Sequence, residues 1–416
     1  MNRRHHDWVI RLRVYGWAWL PIALAFFAWH TWRGTAGRDD LVTPGADFIN
    51  FWSAARLGLQ GHIADVYDFA RFYHFETATI GRPIVLHYYS YPPVTILMTL
   101  PWGLLPYITG LLAWLAGGCI AFMLLVCAAW PGRRSFPDMV LYSIAVPAVL
   151  MNLLAGQNGT WTAVLLGGGL MALERRPVLA GMLLAGLVAK PQMALLVPFA
   201  LLAARRWTTL MTCAITAAAL IGASVLLFGM DPWIAFAHRI PVLRQWDLED
   251  GTGVWHFYAC IFVSVRHLPA SLLAAYATQG IVTVVVLLLV ICVWHSSAPL
   301  AVKNAVLVAS TPFASPYFQV YDLVVLSLVP LWLLSTERAN VVAILWSAVP
   351  LTVVPLAAPI VALEANVDIA PLALLPALMI AVGHCRGERG ALAIVSTISG
   401  KVVAALVAPG QARGQT

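Results

Sequence analysis

Apolar runs of about the length needed to cross a bilayer recur along almost the whole chain, separated by short clusters of basic residues. No other feature constrains the fold as strongly. Hydrophobic residues make up 61% of the sequence and charged residues 10%, against roughly 25% charged in a soluble domain. A solvated surface cannot be built around these runs. Backbone inside hydrocarbon must satisfy its own hydrogen bonds, which such runs do as helices. The expectation is an all-α polytopic integral membrane protein. The 17 tryptophans suit aromatic belts at the lipid headgroups. The six cysteines stand singly, without redox or metal-ligand spacing, and read as packing residues. The net charge of +7 comes from small arginine clusters rather than a basic stripe, so nucleic acid is not an expected partner.

The arginines also orient the chain. A basic start (Arg3, Arg4, Arg11, Arg13) precedes the first apolar run, residues 14–29, and no small-residue cleavage site follows, so this run reads as an uncleaved first helix. Basic clusters return at Arg133-Arg134, Arg175-Arg176, Arg205-Arg206, Lys303, Arg338 and Arg386 to Arg389. The positive-inside rule places them, and the N-terminus, in the cytoplasm. Each stretch between them must then leave and return, giving a string of hairpins with roughly ten to twelve crossings. The outer apices fall at residues 31–91, 155–160, 189–192, 229–269, 312–322 and 364–368. Two hairpins, 178–204 and 301–334, are too short for two full crossings of about 20 residues each. They are expected to dip toward a central, outward-facing cavity. One transmembrane domain is expected over residues 1–389, with a first outer loop at 31–92, a second at 229–269 and a tail at 390–416.

The first outer loop carries structure of its own. From Asp47, the apolar positions Phe48, Phe51, Trp52, Ala55 and Leu59 follow helical spacing, with Gly61 as a stop. A second short helix is expected after Asp68, and both read as amphipathic helices lying at the interface. Tyr91-Pro92-Pro93 then fixes an extended approach to the membrane.

Few residues in such a chain can carry chemistry, and most have two readings. Asp47 is either a helix N-cap or a carboxylate at a wet cavity, suited to take a proton from an acceptor hydroxyl. Lys190 is the one charge between Arg176 and Arg205. Placing a lysine in mid-membrane costs about 2.5–3.5 kcal/mol, so it either snorkels to the headgroups or binds a lipid-linked phosphate. Gly156-Gln157-Asn158-Gly159-Thr160 is a polar turn, also a match to the N-glycosylation pattern, or a sugar-contacting loop. His256, flanked by aromatics, is an interface residue or a leaving-group contact. Asp322, opening an apolar run after Ser315-Pro316, is a cap or a cavity carboxylate. The second outer loop also supplies Arg266 as a second candidate cation for a phosphate. No spacing suits zinc, and no nucleophile elbow or phosphate-cradling glycine loop is present.

These elements, in this order, resemble glycosyltransferase family 87, polytopic enzymes of the GT-C class. The resemblance is carried by Asp47-Phe48, Trp52, Ala54-Ala55, Gly61, Tyr67-Asp68, Tyr91-Pro92-Pro93, Gly156-Gln157-Asn158, Leu187 with Lys190-Pro191, and Ser315-Pro316, over roughly residues 45–328. It implies a GT-C-like helix bundle and an inverting transfer from a polyprenyl-phosphate sugar, mannose in the best characterised relatives, on the non-cytoplasmic face of a bacterial plasma membrane. The family's loop carboxylate, taken as the catalytic base, falls on Asp47, and its Lys-Pro lysine on Lys190. Lys190, His256 and Arg266 are then the candidate donor-phosphate contacts. Asn50, Trp52, Tyr91, Gln157, Asn158, Tyr321 and Asp322 are the candidate sugar or acceptor contacts. The chain departs from the family at the Ser-Pro loop, where relatives often carry histidine and this one has Tyr317, Gln319, Tyr321 and Asp322. The implied partners are the lipid-linked donor, a glycolipid or glycan acceptor and membrane lipids, with no cofactor and no metal. A transporter or flippase would share the composition, but should show matched repeats with interrupted helices, which this sequence lacks.

Overall fold

Among the described residues, four apolar runs form helices long and apolar enough to cross a bilayer: Tyr107–Ala129, Trp207–Phe228, Leu272–His295 and Trp346–Ala365. A fifth span, Phe136–Ala145 with Pro147–Ala155, is bent by 60°. Pro147 accounts for the bend, since it has no amide to donate and pushes Val146 into extended backbone (ψ 114). Six shorter apolar helices complete the bundle. Among the described residues, the expected string of crossings comprises four or five full-length spans and shorter apolar pieces. The computed structural model describes residues 45–84, 88–132, 135–251, 255–336 and 341–387, with nine positions between 16 and 28. The expected first crossing, residues 14–29, is described only at those nine positions. The Arg133-Arg134 pair, Arg338, Arg389 and the 390–416 tail lie wholly outside them. Among the described residues the only β pairing is one isolated bridge, Tyr258 to Gln319.

Burial sorts the helices. Tyr107–Ala129 exposes Ile108, Leu112, Ile120 and Leu124 along one face and buries Trp114, Gly118, Phe122 and Val126 on the other. An exposed leucine and isoleucine stripe opposite a packed face is what a helix at the lipid boundary needs. Leu300–Ala314 and Leu328–Leu334 are instead buried on nearly every side and form the middle of the bundle. Small residues let neighbours close up. A Cβ at Gly181 would stand 2.7 Å from the Thr209 carbonyl, so only glycine lets Pro177–Ala185 lie this close to Trp207–Phe228.

The two short hairpins are built as their lengths require. Pro177–Ala189 and Pro191–Ala203 turn at Lys190, whose extended backbone (φ −142, ψ 71) is imposed by the following proline. Leu300–Ala314 and Val320–Leu334 turn through residues 315–319. The hairpin apices gather at one end of the bundle. The Gly45 amide donates to Leu154 O (2.7 Å), the Ala259 amide to Phe318 O (2.9 Å), and Ser264 Oγ to Asp368 (2.6 Å). The basic turns meet at the other end, where Arg206 pairs with Glu174 (3.6 Å) and His295 lies 3.4 Å from Ala203 O.

The first outer loop departs from its expected form in one respect. Its helix runs over Ala46–Leu59, as the spacing predicts, but Phe48, Ile49, Asn50, Phe51, Trp52, Ser53, Ala54 and Ala55 are all buried. It is a core element packed on Pro93–Gly103, where Gly103 abuts Ala55, rather than an amphipathic helix on the interface. The second helix, Phe69–Ile80, is one-sided. It is capped by Asp68, which accepts from the amides of Ala70 and Arg71, and it turns Phe72 and Glu76 inward.

Candidate active site

Asp47 sits in the first turn of Ala46–Leu59, but the cap position belongs to Gly45, in left-handed backbone (φ 74), and no side chain caps the helix. The cap reading of Asp47 is therefore wrong. Its Oδ2 accepts instead from Gln157 Nε2 at 2.9 Å, across 110 residues of chain. Gln157 is itself held: Tyr91 donates its hydroxyl to Oε1 (3.3 Å), and the Asn158 amide donates to the same oxygen (3.2 Å).

This meeting is fixed by backbone approach. Gly156 ends Pro147–Ala155 in left-handed conformation (φ 73), and a Cβ there would come within 2.8 Å of Gly45 Cα. Trp114 Nε1 donates to the carbonyl of Gly156 at 3.1 Å. On the far side of the turn, Asn152 Oδ1 accepts from the Gly159 amide, and Gly159 packs against the Tyr321 carbonyl with no room for any Cβ. The polar turn of the sequence is thus a clamp between three apices.

Lys190 does not snorkel. It is 3% exposed, and its Nζ donates to Asn158 Oδ1 (3.0 Å) and Asp322 Oδ1 (2.5 Å), with the Tyr321 ring 4.8 Å away. Asp322 fills both roles its position allows: it pairs with Lys190 through one oxygen and accepts the Gln319 amide in a capping box through the other. Thr95 Oγ1 fastens the Lys190 turn by donating to Ala189 O at 3.1 Å. Asp47, Tyr91, Gln157, Asn158, Lys190, Tyr321 and Asp322 accordingly form one linked group drawn from four apices.

Other candidates are placed differently. Trp52 donates Nε1 to Leu105 O (3.0 Å) and packs its ring on Tyr107 and Phe75. Arg266 donates to Glu249 O (3.1 Å) and lies over the Trp255 ring, closing the second outer loop on itself rather than reaching Lys190. His256 is buried on the turn Trp255–Phe257, which leads directly into the Tyr258–Gln319 bridge beside the Asp322 loop. Asn50 is buried with neither amide atom hydrogen-bonded. Among the described residues no cluster of His, Cys, Asp and Glu is arranged to hold a metal.

One residue of this region escaped the sequence reading. Glu76 is fully buried and neither carboxyl oxygen has a hydrogen-bond partner. Burial, with the Asp47 charge as the lesser cause, pushes its carboxyl up to about 9. A lone glutamate in a loop helix reads as solvated, and only the packing of Phe69–Ile80 on Ala46–Leu59 reveals otherwise.

Comparison with known proteins gives one match. No curated protein and no solved structure matches the chain, but residues 89–316 match the sequence profile of glycosyltransferase family 87. The matched span begins after Asp47, takes in Tyr91, Gln157, Asn158, Lys190 and His256, and ends before Asp322. It covers more than half of the 416 residues, and the helical, membrane-spanning build agrees with it. The chain belongs to glycosyltransferase family 87 and is a membrane glycosyltransferase.

Proposed function

We propose that the enzyme transfers a hexose, mannose in the first instance, from a polyprenyl-phosphate-linked donor to a hydroxyl of a lipid-linked or envelope glycan, with inversion, on the non-cytoplasmic face of a bacterial plasma membrane. Family membership supports the donor class. The observation that carries the reading is the division of labour at one dipeptide: Gln157 holds the Asp47 carboxylate while Asn158, next in the chain, holds the Lys190 ammonium. Displacement at a sugar phosphate needs such a pair, a base on one side and a cation on the other.

In this scheme the acceptor oxygen forms its bond to the anomeric carbon as its proton passes to Asp47. The bond from that carbon to the phosphate oxygen breaks, and its electron pair leaves with the lipid phosphate. Lys190 stabilises the charge that grows there. Without donor, Asp322 neutralises Lys190. The incoming phosphate competes for the same ammonium, and the carboxylate it displaces lies beside a sugar ring whose transition state is oxocarbenium-like. Tyr91 and the Tyr321 ring hold the amide and the ammonium in place.

Proteoliposomes supplied with labelled polyprenyl-phosphate mannose and a mannoside acceptor test the reading. Label should move to the acceptor, and a nucleotide-linked mannose should not replace the donor. Translocation of the lipid without transfer would support a flippase instead. Asp47→Asn should lower turnover by about 10²–10⁴-fold while donor binding persists. Its unfolding temperature should hardly change, because Gly45 rather than Asp47 occupies the cap. Near-normal turnover in that variant would move the base elsewhere.

A further inference from the structure

The two outer loops meet at a feature that the transfer chemistry does not use. Phe69, Tyr88 and Trp246 form a three-ring cluster, with centroids 4.5 Å apart for Phe69 and Tyr88, 5.0 Å for Phe69 and Trp246, and 4.2 Å for Tyr88 and Trp246. All three rings are half-buried, unlike the fully buried aromatics Phe72 and Tyr89 beside them. The Arg239 guanidinium lies 4.2 Å over the Phe69 ring and donates Nε to Tyr67 O (2.9 Å). Trp246 and Asp247 stand on a π turn, Gln245–Glu249, of a kind frequent at functional sites. Asp247 follows Trp246 directly in this turn, which sets its carboxylate next in the chain to the cluster. Burial pushes Asp247 up to about 6, so this is a largely dehydrated carboxylate next to half-buried rings.

Position connects the cluster to the reaction. Tyr88 precedes Tyr91 by three residues, a reach of at most about 10 Å, and Tyr91 binds the Gln157 that holds Asp47. Half-buried rings with charged side chains beside them are suited to a flat, partly apolar ligand with hydroxyls at its edge. A sugar ring has that form: its C–H face stacks on the rings, and its hydroxyls reach Asp247 and Arg239. We propose that Tyr88, Trp246, Asp247 and Arg239 form an acceptor subsite that binds the sugar preceding the one glycosylated, so that the enzyme selects acceptors already carrying at least one further sugar. The inference rests on the glycan-acceptor part of the proposed function and names what that acceptor must contain.

Two synthetic acceptors, octyl mannoside and octyl dimannoside, separate the possibilities with the full-length enzyme and polyprenyl-phosphate mannose. Wild type should prefer the dimannoside by at least about 10-fold in kcat/KM, through KM, since the subsite adds binding rather than chemistry. Trp246→Ala and Asp247→Asn should reduce that ratio toward unity. Asp247→Asn is near-isosteric and removes a dehydrated charge, so it should fold at least as well as wild type. Trp246→Phe, which keeps a ring, should retain part of the preference. An unchanged ratio in all variants, or no preference in wild type, would make the cluster a packing seam between loops and overturn the subsite. Donor failure reads differently. If wild type transfers to neither acceptor, saturation-transfer NMR of the dimannoside with donor-free protein decides the matter. Saturation that reaches the sugar-ring protons in wild type and disappears in Trp246→Ala upholds the subsite, and no transfer in wild type rejects it.

Discussion

At the scale of single residues, the surprise is that Lys190 is already paired. A lone intramembrane lysine would be improved by methionine on insertion energetics alone. Here the ammonium offsets the charge of Asp322, which is itself fully buried. Removing one partner of a buried pair strands the other, typically at about 3–5 kcal/mol. Lys190→Met should therefore unfold at lower temperature than wild type, and Lys190→Met/Asp322→Asn should recover most of the loss. Both should remain inactive, which separates the stability role from the chemistry. Equal stability of all three proteins would mean that the pair is not formed. Glu76 makes a second prediction through linkage. Its carboxyl titrates near 9 in the fold, but near 4.3 when the chain is unfolded. Between those values the folded state holds a proton that the unfolded state has released, so this group's contribution falls as pH rises from about 4.3 to about 9. Glu76→Gln cannot ionise and should flatten that fall: more stable relative to wild type at pH 8 than at pH 5, in thermal unfolding of the detergent-solubilised protein. A pH-independent difference would show Glu76 to be ionised in the fold.

At the scale of elements, the site depends on backbone approach at the Gly156 turn. Gly156→Ala would place a methyl group 2.8 Å from Gly45 Cα, in a left-handed conformation that itself costs about 1–2 kcal/mol for other residues. Gly81 supplies the control, with φ 76 at the end of Phe69–Ile80 and open space around it. Gly81→Ala should lose only the conformational part and keep its turnover. Gly156→Ala should lose more stability and should also slow transfer, because pushing Gly45 away moves Asp47 from Gln157. Equal effects in thermal unfolding and turnover would deny the turn its positioning role. The same elements mark what sequence can disclose. Helical spacing from Asp47 located Ala46–Leu59, and the short lengths of 178–204 and 301–334 foretold hairpins that stop short. Periodicity reports one helix at a time, however. It could not tell that Asn50 and Ser53 are buried, that Gln157 faces Asp47 across 110 residues, or that Trp52 donates its indole N–H to Leu105 O.

At the scale of the molecule, the gathering of apices gives the protein two chemically different ends. Asp47, Lys190, Asp322, Ser264 and Asp368 stand in or beside the turns at one end, while Glu174, Arg206 and Lys303 stand in or beside those at the other. The proposed lipid-linked donor would bring its phosphate to the headgroup region, where the first end offers the buried Lys190–Asp322 pair close to Asp47 and the second offers only the solvent-exposed Arg206–Glu174 pair. On the positive-inside rule the basic end is cytoplasmic, and the proposed reaction then takes place on the opposite face. Cysteine labelling tests this assignment as a whole, after replacement of the six native cysteines. Ala64→Cys and Val367→Cys stand exposed at the site end, and Arg175→Cys stands exposed at the basic end. In intact cells a membrane-impermeant maleimide should label the first two, and Arg175→Cys should react only after permeabilisation. The inverse pattern would put the reaction on the cytoplasmic face. There a nucleotide-linked donor would be within reach, and the need for a lipid-phosphate sugar would lose its main support.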